Sequence, residues 1–349
     1  MQMKLLESLW LITFHKKYNE SIGLFQIIAD QGDDIGVKNV HTIFPARKNL
    51  HGSFSRDYES ILEIHSGESV RFQTLDAGWG LEPLVSLAEK RKKFEPREMP
   101  RDQGHALCGP VYIHEALPGK TLEIEIIDIV PGKWGWSTAG GYPHSVNKGL
   151  GLAEGEEFLL SWELDPTHMT GKSQFGHEVP LKPFMGIMGM PPNEDGIHST
   201  TPPRFCGGNI DCKELVSGTT LYLPISVEGA LFSVGDGHGI QGDGEVGVSA
   251  LECPMERVDL TFIVRDDLKL KMPRAETQTE WISFGFHEDL DEAMIIALDG
   301  MLDIMQSEYG LKRKEALTLA SLGVDMRITQ VVNGVKGVHA MLNKKFIKR

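Results

Sequence analysis

Apolar and polar positions alternate along most of the chain before residue 275. The pattern is regular in KTLEIEIIDIV, from Leu122 to Ile129, and recurs in SILEIHSGESVRFQTLD, where a Ser-Gly turn separates two runs. Successive side chains of an extended segment point to opposite faces, so such runs predict strands with one buried face. GTTLYLPISVEGALFSVGD, EVGVSALECP and RVDLTFIVR add further short strands, punctuated by Gly and Pro. This spacing predicts an all-β region of sandwich- or barrel-like lobes.

Past residue 275 the period changes. HEDLDEAMIIALDGMLDIMQSEYG sets Leu290, Met294, Ile295, Leu298, Met301, Leu302 and Met305 at helical spacing, with acids in the first turns and Gly310 at the end. An amphipathic helix is expected there, its methionines serving as core packing. KRKEALTLASLGV predicts a second helix, and DMRITQVVNGVKGVHAML returns to strand. The expected fold class is mainly β with a C-terminal α+β section: an N-terminal extension over residues 1–36, β-rich lobes with the candidate chemistry over 37–265, and the α+β section over 266–349.

Composition narrows the function. Forty-nine acidic against 35 basic residues leave a formal net charge of −14 in 349 residues. That balance favours solubility and opposes nucleic-acid or anionic-membrane binding, both of which need a basic surface. The expected partner is a small molecule. Cys108, Cys206, Cys212 and Cys253 form no CxxC pair, which predicts a reduced, cytoplasmic protein. The apolar stretch LLESLWLITF is interrupted by Glu7 and lacks a following small-x-small site, so neither export nor a membrane span of ~18 apolar residues is predicted.

Residues 234–248, VGDGHGIQGDGEVGV, concentrate six glycines around Asp236, His238, Asp243 and Glu245. Glycine is kept at such density where turns are tight or the backbone must approach a ligand closely. GHGIQG matches GxGxxG, but its sequel DGEVGVSALEC reads as strand, whereas a dinucleotide site needs a helix after the glycines. A calcium loop counted from Asp236 fails too, with Gln241 and Gly247 where Gly and Glu are required. On extended backbone Asp236 and His238 share a face, as do Asp243 and Glu245, so the four can converge on one ion. Imidazole with carboxylate suits zinc, iron, nickel or manganese. The stretch fits a self-capped polar turn equally well.

Other candidates are scattered. Asn209 and Asp211 follow a Gly-Gly pair in PPRFCGGNIDCKEL, Asp76 and Trp79 lie in QTLDAGWG, and His41 sits in a strand-like VHTIF. Trp134 and Trp136 in GKWGWS are suited to wall a pocket or to pack the core. Cys206 and Cys212 have no identifiable histidine partner and read as core residues.

Taken together, GGNIDCKELVSGTTLYLPISVEGALFSVGDGHGIQGDGEVGVSALE resembles the acetamidase/formamidase family, which carries GGNMD-type, LYLPV-type and GDGHAAQGDGE-type motifs in this order. LEIHSGESVRFQTLDA, CGPVYIHEALPGKTLEIEIIDI, PFMGIMGMPP and MRITQVVNGVKGVHA extend the resemblance over roughly residues 37–340. It implies hydrolysis of short linear amides to carboxylic acid and ammonia, a homo-oligomer and a divalent metal, zinc first, with iron, nickel, manganese or calcium as alternatives. Carried over by position, Asp76, Asp236, His238, His41 and Asp211 are the metal candidates. Glu245 is the candidate base with Asp243 in reserve, and Trp79, Trp136 and Asn209 are candidates for substrate binding. Gly239-Ile240 stands where the family shows Ala-Ala, Cys212 where Thr is common, Cys108 precedes the GPVYI strand, and DAGWG is not the usual form of its loop. These departures bear on substrate identity. The alternative from another class is a non-catalytic β-rich protein holding a structural ion and binding a metabolite.

Overall fold

Strand Thr121–Pro131 forms where the alternation is longest, and it shows how the chain keeps its phase. Leu122, Ile124, Ile126 and Ile129 are buried, but Ile127 is exposed. Its partner Met255–Arg265 pairs Leu260 with Ile126 and Asp259 with Asp128, so Ile127 is the extra residue of a β-bulge. The bulge returns Ile129 to the core face, which strict alternation would have denied it.

The computed structural model describes residues 40–348. The expected extension over residues 1–36 lies outside them. Three sheets make up the body. A nine-stranded sheet runs Val40–Ile43, Ser69–Thr74, Met255–Arg265, Thr121–Pro131, Thr219–Pro224, Arg274–Glu276, Glu280–His287, Lys336–Asn343 and Val324–Gln330. Strands from both sides of residue 265 therefore hydrogen-bond in one sheet. A seven-stranded sheet places Phe232–His238 between Phe184–Gly189 and Leu107–Ile113. A four-stranded sheet contains Trp134–Ala139 and Phe158–Asp165. The mainly β architecture with a C-terminal α+β section is the expected class.

Helix Leu290–Tyr309 starts at Asp289, whose carboxylate accepts from the N–H groups of Asp291 and Glu292, and ends at Gly310 in the left-handed conformation. Its buried stripe differs from the apolar face expected. Ala293, Ala297, Met301, Ile304 and Met305 are buried, whereas Ile295 is exposed and Leu290, Met294 and Leu298 are only partly covered. Close approach explains the rotation. A Cβ on Gly285 would lie 2.0 Å from the Ala293 carbonyl oxygen, so a glycine on the strand and alanines on the helix let the two backbones nearly touch. Ser283 Oγ donates to the Ala297 carbonyl at 2.6 Å. Residues 324–343 form a hairpin, Val324–Gln330 with Lys336–Asn343.

EVGVSALECP departs from expectation. Residues 244–249 form turns, with Gly244, Glu245 and Val248 at φ of 98°, 47° and 70°, and extended pairing resumes only at Glu252. The glycines free the chain to curl back on itself. No helix follows GHGIQG, in keeping with rejection of the dinucleotide reading.

Two contacts fix the strand Phe232–His238. Phe232 meets Phe262 of the nine-stranded sheet edge-to-face, with ring centroids 4.9 Å apart. His51, buried, places Nδ1 2.6 Å from the Ser53 carbonyl and Nε2 2.9 Å from Ser233 Oγ. Nδ1 therefore carries the proton, and Nε2 accepts from the hydroxyl. Phe262→Ala should cost about 3–5 kcal/mol, read by chemical denaturation. Burial lowers the His51 pKa from 6.5 to about 4. The unfolded chain therefore takes up a proton that the folded chain refuses, and stability falls as pH drops from about 6.5 to 4, by up to about 3 kcal/mol. His51→Gln should lose measurably less stability than the parent across that window, and an unchanged slope would refute this assignment.

Candidate active site

The last residues of strand Phe232–His238 carry the densest group of buried ionisable side chains that the structure describes. His238 Nε2 lies 3.4 Å from Asp236 Oδ1 and 3.4 Å from Glu252 Oε2, and Nδ1 lies 3.9 Å from Asp211 Oδ1. Glu245 joins Asp211 and His238 from the other side. All five side chains are buried.

Backbone conformation aims them. Asp211, Asp236 and Glu245 adopt left-handed φ values of 53°, 59° and 47°. Such residues cost roughly 1–2 kcal/mol each relative to ordinary conformations and persist where surrounding structure demands them. Asp211 follows strand Gly207–Asn209, and its N–H reaches the Gly186 carbonyl at 3.2 Å. Glu252 is set by a double backbone bond to Trp136, at 2.9 and 2.8 Å, and its Oε1 accepts from the Ala250 N–H at 3.0 Å. Phe184 stands edge-on to the His238 ring, 5.0 Å between centroids.

Gly186 forms the floor. A Cβ there would lie 2.6 Å from Asp211 Oδ1, 2.8 Å from Asp236 Oδ2 and 2.8 Å from His238 Cε1, so only glycine leaves the cluster its space. Asn333 donates to Asp211 Oδ2 at 2.6 Å and Gln241 Nε2 to the Asp211 carbonyl at 2.8 Å. The opposite oxygen, Asp211 Oδ1, has no hydrogen-bond partner among the described residues, and neither do His238 Nδ1 and Nε2, Glu245 Oε2 or Glu252 Oε2.

The electrostatics are lopsided, with four carboxyl groups around one imidazole. Asp236 and His238 make the ion pair. Burial opposes both charges, but His238 and His105 hold the Asp236 carboxyl down at about 2, and the neighbouring Glu252 and Asp236 raise His238 well above its usual value. Burial pushes Asp211 up to about 8. Burial, then the Asp211 charge, raises Glu245 well above the usual carboxylate range, and burial also raises Glu252. The imidazolium pairs with Asp236, and the other three carboxyl groups, raised by burial, lack a countercharge that would let them ionise. A divalent cation fits the set, because buried charges are tolerated only when paired or ligated. The unpartnered oxygens and both ring nitrogens are the atom types that coordinate one.

Four of the residues singled out from sequence meet here: Asp236, His238, Asp211 and Glu245. Asp76 does not join them. Its Oδ1 accepts from the Gly80 N–H at 2.6 Å, and its Oδ2 from Trp136 Nε1 and Arg91 Nη2, each at 2.7 Å, so its lone pairs are spent on a buried ion pair. His41 is on the edge strand Val40–Ile43, 3.4 Å from Glu68 Oε1. Asp243 turns outward to Lys213 Nζ at 3.0 Å, because the turn at Gly244 and Glu245 sends the two carboxylates apart instead of along one strand face. Trp79 is core, with Nε1 on the Gly104 carbonyl at 2.8 Å, and Asn209 is buried with Nδ2 on the Thr201 carbonyl at 3.1 Å. Glu252 is not among the residues the sequence pattern singles out. Its signal is a carboxylate set between Leu251 and Cys253 in an apolar run, since such a residue is rarely buried without a partner.

A recess of about 410 Å³ reaches Glu245, lined by Gln241, Ile240, Leu251, Trp162, Val179 and Ser137 among others. Trp136 lines a different one of about 690 Å³, with Lys90, Arg91 and Lys93.

Fold and centre together define a β-rich protein with a buried histidine-carboxylate site of the kind that binds a divalent cation. The acetamidase/formamidase family model matches residues 38–198 and 194–342, and the chain belongs to that family. It is 28% identical to an acetamidase of Mycolicibacterium smegmatis over 198 residues, 41% of this chain and 49% of that one. It is 23% identical to a formamidase of Methylophilus methylotrophus over 247 residues, 56% of this chain and 59% of that one. The matched stretches thus span about half to three-fifths of these curated relatives' length. A solved acetamidase structure from Bacillus halodurans superposes with a TM-score of 0.75 at 26% identity, covering 87% of this chain and 97% of that chain.

Gly186→Ala should lower the thermal midpoint, costing about 1–3 kcal/mol by overpacking the floor of the cluster. Gly149→Ala is the control, since a Cβ at that helix position meets nothing within 4 Å. Equal midpoints for the two variants would show that Gly186 has no such role.

Proposed function

We propose that the protein hydrolyses linear carboxamides to carboxylic acid and ammonia at this centre. The observation that carries the reading is the buried set of one imidazole and four carboxyl groups with five unpartnered ligand-type atoms, reached by a recess at Glu245. The named activities of the acetamidase and formamidase relatives support it.

Asp236, His238 and Glu252 would hold a divalent cation, zinc first, with Asp211 beside them. Such an ion supplies Lewis-acid polarisation of a bound carbonyl. The protein's own groups do the rest. Asn333 and Gln241 keep Asp211 in place. Glu245 in its carboxylate form, with Oε2 free of any hydrogen-bond partner among the described residues, takes a proton from the attacking water as the water oxygen bonds to the acyl carbon. It then delivers that proton to the amide nitrogen as the carbon-nitrogen bond breaks and ammonia leaves. Asp76, paired with Arg91, steadies Trp136 and through it the backbone that presents Glu252.

A cytoplasmic setting and a homo-oligomer belong to the same proposal. All four cysteines are buried and unbridged, which suits a reducing compartment, and Val85, Leu87 and Met99 expose apolar surface that an assembly would cover. No helix among the described residues is long and apolar enough to cross a membrane.

Purified protein should carry at least one divalent ion per chain and release ammonia from simple amides. Glu245→Gln cannot accept a proton, so turnover should fall roughly 10²- to 10⁴-fold with the metal content kept. Loss of the metal in that variant would make Glu245 a ligand instead. Normal metal with normal turnover would remove it from the mechanism, and a metal-rich protein inert toward every amide would favour a structural ion.

A further inference from the structure

The recess at Glu245 is larger and more apolar than a one- or two-carbon amide requires. We propose, building on the amidase reading, that the substrates are primary amides with an apolar acyl group of isovaleryl to benzoyl size, seated on Ile240, Val179, Trp162 and Leu251. Its volume of about 410 Å³, open on one side, gives room for acyl groups larger than that of acetamide. Trp162 Nε1 is bonded to Ser137 Oγ at 3.2 Å, so the indole's polar edge is satisfied and its ring is left as an apolar wall.

Gln241 orients the ligand. Its Nε2 donates to the Asp211 carbonyl at 2.8 Å, which commits the amide nitrogen and leaves Oε1 as the acceptor end. Oε1 is buried and has no hydrogen-bond partner among the described residues. An unmet buried acceptor is costly, and the N–H of a primary amide meets it. Glu245, which must reach the departing nitrogen, lines the same recess. The two buried polar groups mark the end for the NH2 group, and the acyl chain then lies along the apolar wall. A bulky group on nitrogen would crowd that polar end, so primary amides are preferred over N-alkyl amides.

The test is ammonia release by the full-length protein from acetamide, butyramide, isovaleramide and benzamide, with N-methylbutyramide followed by methylamine release. Transfer of each methylene to an apolar wall is worth roughly a four-fold rise in kcat/KM, so butyramide should exceed acetamide by roughly fifteen-fold and N-methylbutyramide should be poor. Ile240→Ala and Val179→Ala should each lower the butyramide-to-acetamide ratio several-fold. A ratio flat or falling with acyl length overturns this inference and leaves the amidase reading standing. Thermal shift with the same amides provides a readout independent of turnover. Greater stabilisation by isovaleramide than by acetamide, in a protein that releases no ammonia, would support the recess assignment while sinking the amidase reading. No size-dependent shift together with no turnover overturns both.

Discussion

The packing around strand Phe232–His238 answers one electrostatic constraint: four carboxyl groups and an imidazole are buried together, away from bulk solvent. Each of these groups would be more stable in solvent, and a lone buried ion pair seldom repays its desolvation. Yet the chain spends further conformational energy to assemble them, with three carboxylate-bearing residues on left-handed backbone and a glycine floor that tolerates no Cβ. An arrangement that is costly in every separate respect makes sense when the group that completes it is a cation.

Comparison with Asp76 sharpens the point. Asp76 is as buried as Asp236, but Arg91, Trp136 and the Gly80 N–H occupy both of its oxygens. Here burial of a carboxylate marks structure, because the positive charge comes from the chain. Around His238 the chain supplies one imidazolium to four carboxyl groups. Partner accounting, more than burial or motif, separates a structural carboxylate from one available for chemistry.

Much of the architecture is legible from period alone: strands such as Thr121–Pro131 and Met255–Arg265, the two C-terminal helices and the stop at Gly310 fall where sequence pattern puts them, whereas EVGVSALECP does not. Asp236 and His238 are legible as an acid and a histidine two positions apart in one run, but with Asp236 at φ of 59° it is the left-handed backbone, not plain alternation, that aims the acid into the cluster. What failed was inference carried through glycine. Alternation predicts that Asp243 and Glu245 point together, but a residue at Gly244 with φ of 98° breaks the rule, and no local pattern reports that angle. Only long-range pairing shows that the polar atoms of Asp76 and Trp79 are engaged elsewhere, that His41 stands at Glu68, and that Asn209 lies outside the cluster with Nδ2 bonded and Oδ1 without a partner among the described residues. Ile295 was misplaced because helical spacing cannot register how closely Gly285 lets a helix approach.

The C-terminal hairpin ties the periphery to the centre. Gly244 donates to the Thr329 carbonyl at 3.0 Å and accepts from the Val331 N–H at 3.2 Å, which pins the turn carrying Glu245 to the end of strand Val324–Gln330. Three residues beyond that strand, Asn333 bonds Asp211, and buried Gln330 shapes the intervening turn through the N–H groups of Val332 and Asn333 and the Val335 carbonyl. The hairpin is in turn packed under helix Leu290–Tyr309 by Val338, Ala340 and Leu342. Two of the five cluster side chains therefore depend on a segment far away in sequence, which the α+β pattern marks as a separate section. The geometry of the centre is a property of the whole fold: the helix seats the hairpin, the hairpin holds the glycine-rich turn, and the turn directs Glu245 inward while Asp243 faces Lys213.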